Sequence, residues 1–144
     1  MALPETETRI GAVVTLAPGG ASNPEPGIIP FTLSFNWPRP PATRYIVAED
    51  DVLSPIAGMH EIYSRTPGPK QMAVLPRADH MHFVDNVERE HEQLRTASLP
   101  PEASWISREM RPIAELCTGE EAHRQIQSHT LAHLNAALPR RTAF

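Results

Sequence analysis

Two short apolar runs in this 144-residue chain each lead into a group that can handle a proton. Tyr45 to Ala48 runs into Glu49-Asp50-Asp51, and Gln71 to Leu75 runs into Arg77-Ala78-Asp79-His80. A carboxylate just past one strand and an imidazole just past the next suit the orienting acid and the general base of an acyl-transfer triad. There the acid fixes the imidazole tautomer and stabilises the imidazolium. The nucleophile of such a triad, a serine in a G-x-S-x-G turn, occurs nowhere in the sequence.

Several residues compete for these roles. Glu49 and Asp50 are the next candidates for the acid, and a plain turn role is open to all three, because aspartate is common before a Ser-Pro helix start. His82 competes with His80, since two imidazoles two positions apart point to opposite sides of an extended backbone. Ser22 in Gly20-Ala-Ser-Asn-Pro24 follows a strand, but Pro24 and Pro26 forbid the helix that a nucleophile turn requires. Cys117 precedes a capped helix instead of following a strand, and is expected to be a small buried hydrophobe. His129 and His133 stand four apart with His123 nearby, which is metal-ligand spacing, yet no H-E-x-x-H and no third carboxylate at helical spacing accompany them. The expectation is a helix edge packed on the sheet, with no metal and no other cofactor. Phe31, Phe35 and Trp37 either line an acyl pocket or fill the space between loop and sheet.

The elements that must position Asp51 and His80 follow from the apolar pattern. Residues 9 to 17 form a near-continuous apolar run, expected as a strand buried on both faces. Residues 18 to 41 are dense in proline and glycine and predict a long crossing loop. Tyr45 to Ala48 predicts a second buried strand, with Ser54 as N-cap and Pro55 as first residue of a helix whose Ile56, Met59 and Tyr63 share a face. Gln71 to Leu75 predicts the third strand. Asp85 to Glu88 resembles a capping box opening a helix with Val87, His91 and Leu94 on one face. Residues 98 to 116 hold one or two helical turns between prolines, and Thr118 to Glu121 caps a final helix ending at Pro139. Strands alternating with helices imply an α/β fold, a three-layer parallel sheet with flanking helices, within a single partial domain over residues 1 to 144.

Composition narrows the function classes. A formal net charge of −4 with both signs interleaved leaves no basic stripe for a phosphate backbone, so nucleic acid is not an expected partner. No apolar run is long enough to span a bilayer, and no signal-peptide pattern opens the chain. A lone cysteine suits a reducing compartment, so the expectation is a cytoplasmic protein that neither enters nor binds a membrane.

The pattern resembles the C-terminal half of the α/β-hydrolase superfamily, closest in flavour to dienelactone-hydrolase-like or esterase/lipase-like members. Asp51 followed four positions later by Pro55 is similar to the acid-bearing turn, and Arg77-Ala78-Asp79-His80 is similar to the histidine loop, with Arg77 where glycine is common. This match favours His80 over His82. The resemblance spans roughly residues 9 to 138, divided as strand 9–17, loop 18–41 and strand-helix-strand-helices 43–138, and makes the three strands the last three of the family's sheet. It implies an ester or acyl hydrolase acting on a small-molecule ester, with Asp51 and His80 catalytic and the nucleophile outside this chain. A truncated product, a fragment complementing a separate N-terminal half, or a non-catalytic binding or assembly module each fit. The edge of residues 10 to 16 is then open to a complementing half or to self-association.

Overall fold

The computed structural model describes residues 9–19 and 34–138, so Ser22, Phe31 and Pro139 lie outside the described residues. Strands β1 (Ala12–Leu16), β2 (Ala42–Ala48) and β3 (Lys70–Leu75) form one parallel sheet in the order β1-β2-β3. The register sets Leu16 beside Ile46 and Ala48 beside Leu75, so the three strands end nearly level.

The consecutive apolar residues of β2 divide between two cores because successive side chains face opposite sides. Tyr45 and Val47 pack with Met59 and Ile62 of α1 (Ile56–Arg65). Ile46 and Ala48 pack with Leu75, Ala78, Cys117 and Ala122, the last of these in α4 (Gly119–Ala137). Helices therefore cover both faces of a small open parallel sheet, which is the α/β class. Helix α2 (Val87–Thr96) packs on the 3-10 turn at His80–Phe83, and α3 (Ser104–Glu109) packs on α2.

Several local expectations change. β1 is shorter than residues 9 to 17 and is not buried on both faces; Leu16 is 45% exposed. Its only hydrogen-bonded neighbour among the described residues is β2, so within them its other long side is unpaired. Ser54 does not cap α1. Pro55 occupies the cap position, while the Ser54 hydroxyl donates to the Ala17 carbonyl at 3.3 Å. The apolar face of α1 runs through Met59 and Ile62, and Tyr63 sits at its margin, donating its hydroxyl to the Lys70 carbonyl. No capping box forms at Asp85: Asn86 takes a left-handed conformation at the cap, and the Glu88 carboxylate turns away to accept the Gly119 N–H at 2.8 Å. Thr118 does cap α4, its hydroxyl accepting the Glu121 N–H at 3.2 Å. At the far end of α4, Leu138 reaches β1 closely enough that a methyl on Gly11 would stand 3.0 Å from its Cδ2.

At Gly119 the start of α4 packs against Val87 of α2. A Cβ there would lie 2.7 Å from Val87 Cγ2 and 2.8 Å from Val87 Cβ, with no flexible side-chain end to give way. Helix propensity alone favours alanine over glycine by about 1 kcal/mol. We expect the clash to reverse that sign, so that Gly119→Ala destabilises by about 1–3 kcal/mol in urea unfolding. Combined with Val87→Ala, it should cost less than the sum of the two single changes.

Candidate functional site

The level strand ends place the turns after β2 and β3 side by side. The backbone holds them together further, through Glu49 N–H to the Leu75 carbonyl at 3.0 Å and Asp50 N–H to the Ala78 carbonyl at 2.8 Å. Asp51 then turns the chain with its own side chain: Oδ1 accepts the N–H groups of Leu53 at 2.8 Å and Ser54 at 2.7 Å. Both bonds fix the carboxylate, and Oδ2 faces His80 Nδ1 at 2.9 Å.

His80 opens the 3-10 turn His80–Phe83, which Asp79 caps by accepting the Met81 N–H at 3.0 Å. Arg77 reverses the chain between β3 and this turn with φ of 50°, in the left-handed region. Its N–H donates to Glu49 Oε2 at 2.9 Å and its carbonyl accepts the Cys117 N–H at 2.7 Å. The Asp51 side chain is fully buried, whereas that of His80 is 36% exposed, so the acid is shielded and the base is open. With Nδ1 committed to Asp51, Nε2 is the nitrogen left to exchange a proton with a reacting group. The hydrogen bond with Asp51 raises the His80 pKa above the ordinary histidine value, against the opposing effect of burial.

The competing residues are engaged elsewhere. Glu49 holds the Arg77 N–H, and Asp50 pairs with Arg111 at 3.0 Å. His82 is fully buried, with Nδ1 2.9 Å from Asp79 Oδ1 and Nε2 3.0 Å from the Cys117 carbonyl. Cys117 is buried, and that burial pushes its thiol pKa up, the wrong direction for a nucleophile. His133 and His123 lie by backbone carbonyls, those of Ala42 and Val84, at 3.1 Å each. No group of three His, Cys, Asp or Glu that could hold a metal ion occurs among the described residues. Phe35 packs on the α1 side of the sheet, with Trp37 and the Arg65 guanidinium against its ring. A cavity of about 320 Å³ opens at the opposite end of the sheet, around Thr43, Lys70 and His133, away from Asp51 and His80.

Two residues of this region escaped the sequence reading as site components. Asp79 is buried beneath the His80 turn, and His91 of α2 is buried with Nε2 2.9 Å from Asp79 Oδ2. The available signal was an imidazole on the apolar stripe of α2 between Val87 and Leu94. Compared with protein-family profiles, curated proteins and solved structures, the chain matches none. No helix among the described residues is long and apolar enough to cross a membrane.

Two outcomes follow from this geometry. Because the His80 pKa is raised on folding, its contribution to stability is full below the unfolded value of about 6.5 and is lost as pH rises through the folded value. His82 acts in the same sense: burial pulls its pKa down, but Asp79 and the Cys117 carbonyl outweigh it and leave it raised. Urea unfolding should therefore show this contribution at pH 6 and its loss at pH 9. Asp51→Asn, which keeps an oxygen for the Leu53 and Ser54 amides, should shrink that difference; Asp51→Ala should cost about 1–3 kcal/mol more by orphaning those amides. At position 77, where the backbone is left-handed, Arg77→Gly should be more stable than Arg77→Ala by about 1 kcal/mol in thermal or urea melts.

Proposed function

We propose that this chain is the acid- and base-bearing part of an ester or acyl hydrolase of α/β-hydrolase type, in which Asp51 orients and charges His80. His80 Nε2 takes the proton of a hydroxyl nucleophile as that oxygen attacks the ester carbonyl, then returns it to the leaving alcohol. The observation that carries the reading is the 2.9 Å contact between Asp51 Oδ2 and His80 Nδ1, made by turns that follow adjacent parallel strands. The buried acid and the part-exposed base give it the polarity that general base catalysis needs. The nucleophile comes from outside the 144 residues, since no G-x-S-x-G occurs in them. The substrate is a small-molecule ester, and the free thiol of Cys117 suits a cytoplasmic setting.

A second reading, a binding or assembly module, is favoured by a separate observation. Ile10 and Leu16, before and at the end of β1, together with Leu131 of α4 and Leu138 just past it, are large apolar side chains left exposed. Leu138 lies against Gly11, and Leu131 sits seven residues back on the same stripe of α4. A complementing half or a second copy would cover this margin.

The test joins a strand and turn bearing G-x-S-x-G ahead of residue 9 and follows p-nitrophenyl ester hydrolysis beside the unmodified chain, with sizing of every preparation. The hydrolase reading expects no serine-type turnover from the unmodified chain and, in the joined chain, turnover that falls at least 1,000-fold in both His80→Ala and Asp51→Ala. A folded joined chain with no turnover, or turnover indifferent to His80→Ala, would sink it. Concentration-dependent association of an inactive chain would favour the assembly reading.

A further inference from the structure

Beneath the His80 turn lies a second imidazole–carboxylate grouping that the proposed reaction does not use. Asp79 is 3% exposed, and His82 and His91 are fully buried. A carboxylate so placed requires a positive partner, because an uncompensated buried charge is costly. The two candidates are the imidazoles on either side of it: His82 Nδ1 is 2.9 Å from Oδ1 and His91 Nε2 is 2.9 Å from Oδ2. The first contact is aligned as a hydrogen bond. In the second the His91 ring is turned out of line, so Asp79 Oδ2 and both His91 nitrogens have no aligned hydrogen-bond partner among the described residues.

His82 is built to exist in two protonation states without moving. Its Nδ1 lies between an acceptor, Asp79 Oδ1 at 2.9 Å, and a donor, the Asp79 N–H at 3.0 Å. As imidazolium the ring donates from Nδ1 to the carboxylate and from Nε2 to the Cys117 carbonyl at 3.0 Å. As neutral imidazole it keeps the Nε2 bond and accepts the Asp79 N–H, but then the carboxylate loses its counter-charge on that side. His91 stands ready on the other side to supply it.

We propose that Asp79, His82 and His91 hold one buried proton among them and thereby position the turn that presents His80 to Asp51. Asp79 and the two histidines are then positioning residues: the carboxylate caps the His80 turn, ties it to α2 through His91, and ties it to the segment before α4 through His82 and Cys117. Other ionisable groups surround the cluster without replacing its proton. On α2, Glu92 Oε1 is 3.5 Å from His91 Nδ1, but the hydrogen bond from Arg95 is the first cause that lowers the Glu92 pKa to about 2. Glu88, also on α2, is bound to Gly119, and Glu121 and Arg77 act on Cys117 from α4 and from the preceding turn. His123 of α4 lies by the Val84 carbonyl, and His80 itself faces Asp51. When pH rises far enough to remove the shared proton, Asp79 is left charged and uncompensated, and the turn opens toward water, taking His80 from Asp51. The significance of that step for catalysis rests on the hydrolase reading; the shared proton does not.

The experiment is a pH series of histidine ring 15N–1H spectra on the full chain and on single variants. At about pH 7 the wild type should show one imidazolium's worth of charge over His82 and His91. The downfield Nδ1–H signal of His80 should disappear in the same pH step that removes that charge. In His91→Gln, His82 should become the fully charged ring, and in His82→Gln, His91 should. Asp79→Asn should leave both neutral and, having no carboxylate to strand, should abolish the pH step in which the His80 signal is lost together with the cluster's charge. Two neutral rings in the wild type at about pH 7, or a remaining ring that stays neutral in both glutamine variants, overturns the proposal. So does a wild-type His80 profile in a folded Asp79→Asn chain; if that variant does not fold, the glutamine pair decides alone. Asp51→Asn separates the two readings: absence of its effect on the His80 signal counts against the Asp51–His80 contact and leaves the cluster's spectra to be judged by themselves.

Discussion

Parallel pairing of β2 with a strand on either side obliges each following turn to open at the same end of the sheet. Asp51 and His80 are 29 positions apart, and they meet because the register sets Ala48 beside Leu75 and so starts both turns level. A one-residue slip would carry one turn about 3.3 Å along the other and send every side chain of the slipped strand to the opposite face. The two cores forbid that slip, since Tyr45 and Val47 belong to the α1 side and Ile46 and Ala48 to the α4 side. Packing far from the imidazole therefore sets a contact of hydrogen-bond precision.

The four residues Asp79 to His82 take part in two His–Asp pairs of opposite character. His80 with Asp51 couples a half-open base to a shielded acid, an arrangement suited to exchanging protons with something outside. His82 with Asp79 is closed on all sides and braced by the Cys117 carbonyl. The difference arises from the 3-10 turn: its tight winding sends the two histidines to different surroundings although only Met81 separates them. Desolvation opposes charge at both; carboxylates outweigh it at His80, and Asp79 with the Cys117 carbonyl does so at His82.

Much of the sheet was legible because burial on both faces leaves a sequence trace in consecutive apolar residues, as in Tyr45 to Ala48. The meeting of Asp51 with His80 was legible for the same reason, each group standing just beyond such a run. What the sequence did not disclose concerns side chains with more than one possible partner. Ser54 and Glu88 both look like helix caps, but the Ser54 hydroxyl goes to the Ala17 carbonyl and Gly119 offers Glu88 a better-placed N–H. Asp79 and His91 were hidden because a buried ionic contact is made between segments, and neither segment alone signals it. β1 looked fully buried because an apolar run says nothing about how many neighbours a strand has.

The contact between Leu138 and the backbone at Gly11 brings the end of the last helix against the beginning of the first strand. The start of β1 and the end of α4 therefore lie at one corner of the sheet. A unit with that geometry can be spliced into a surface loop of a host domain without prising the host apart, since its two attachment points lie within a side chain's reach of each other. The same corner makes circular permutation of the unit from Gly11 to Leu138 a matter of a short bridge.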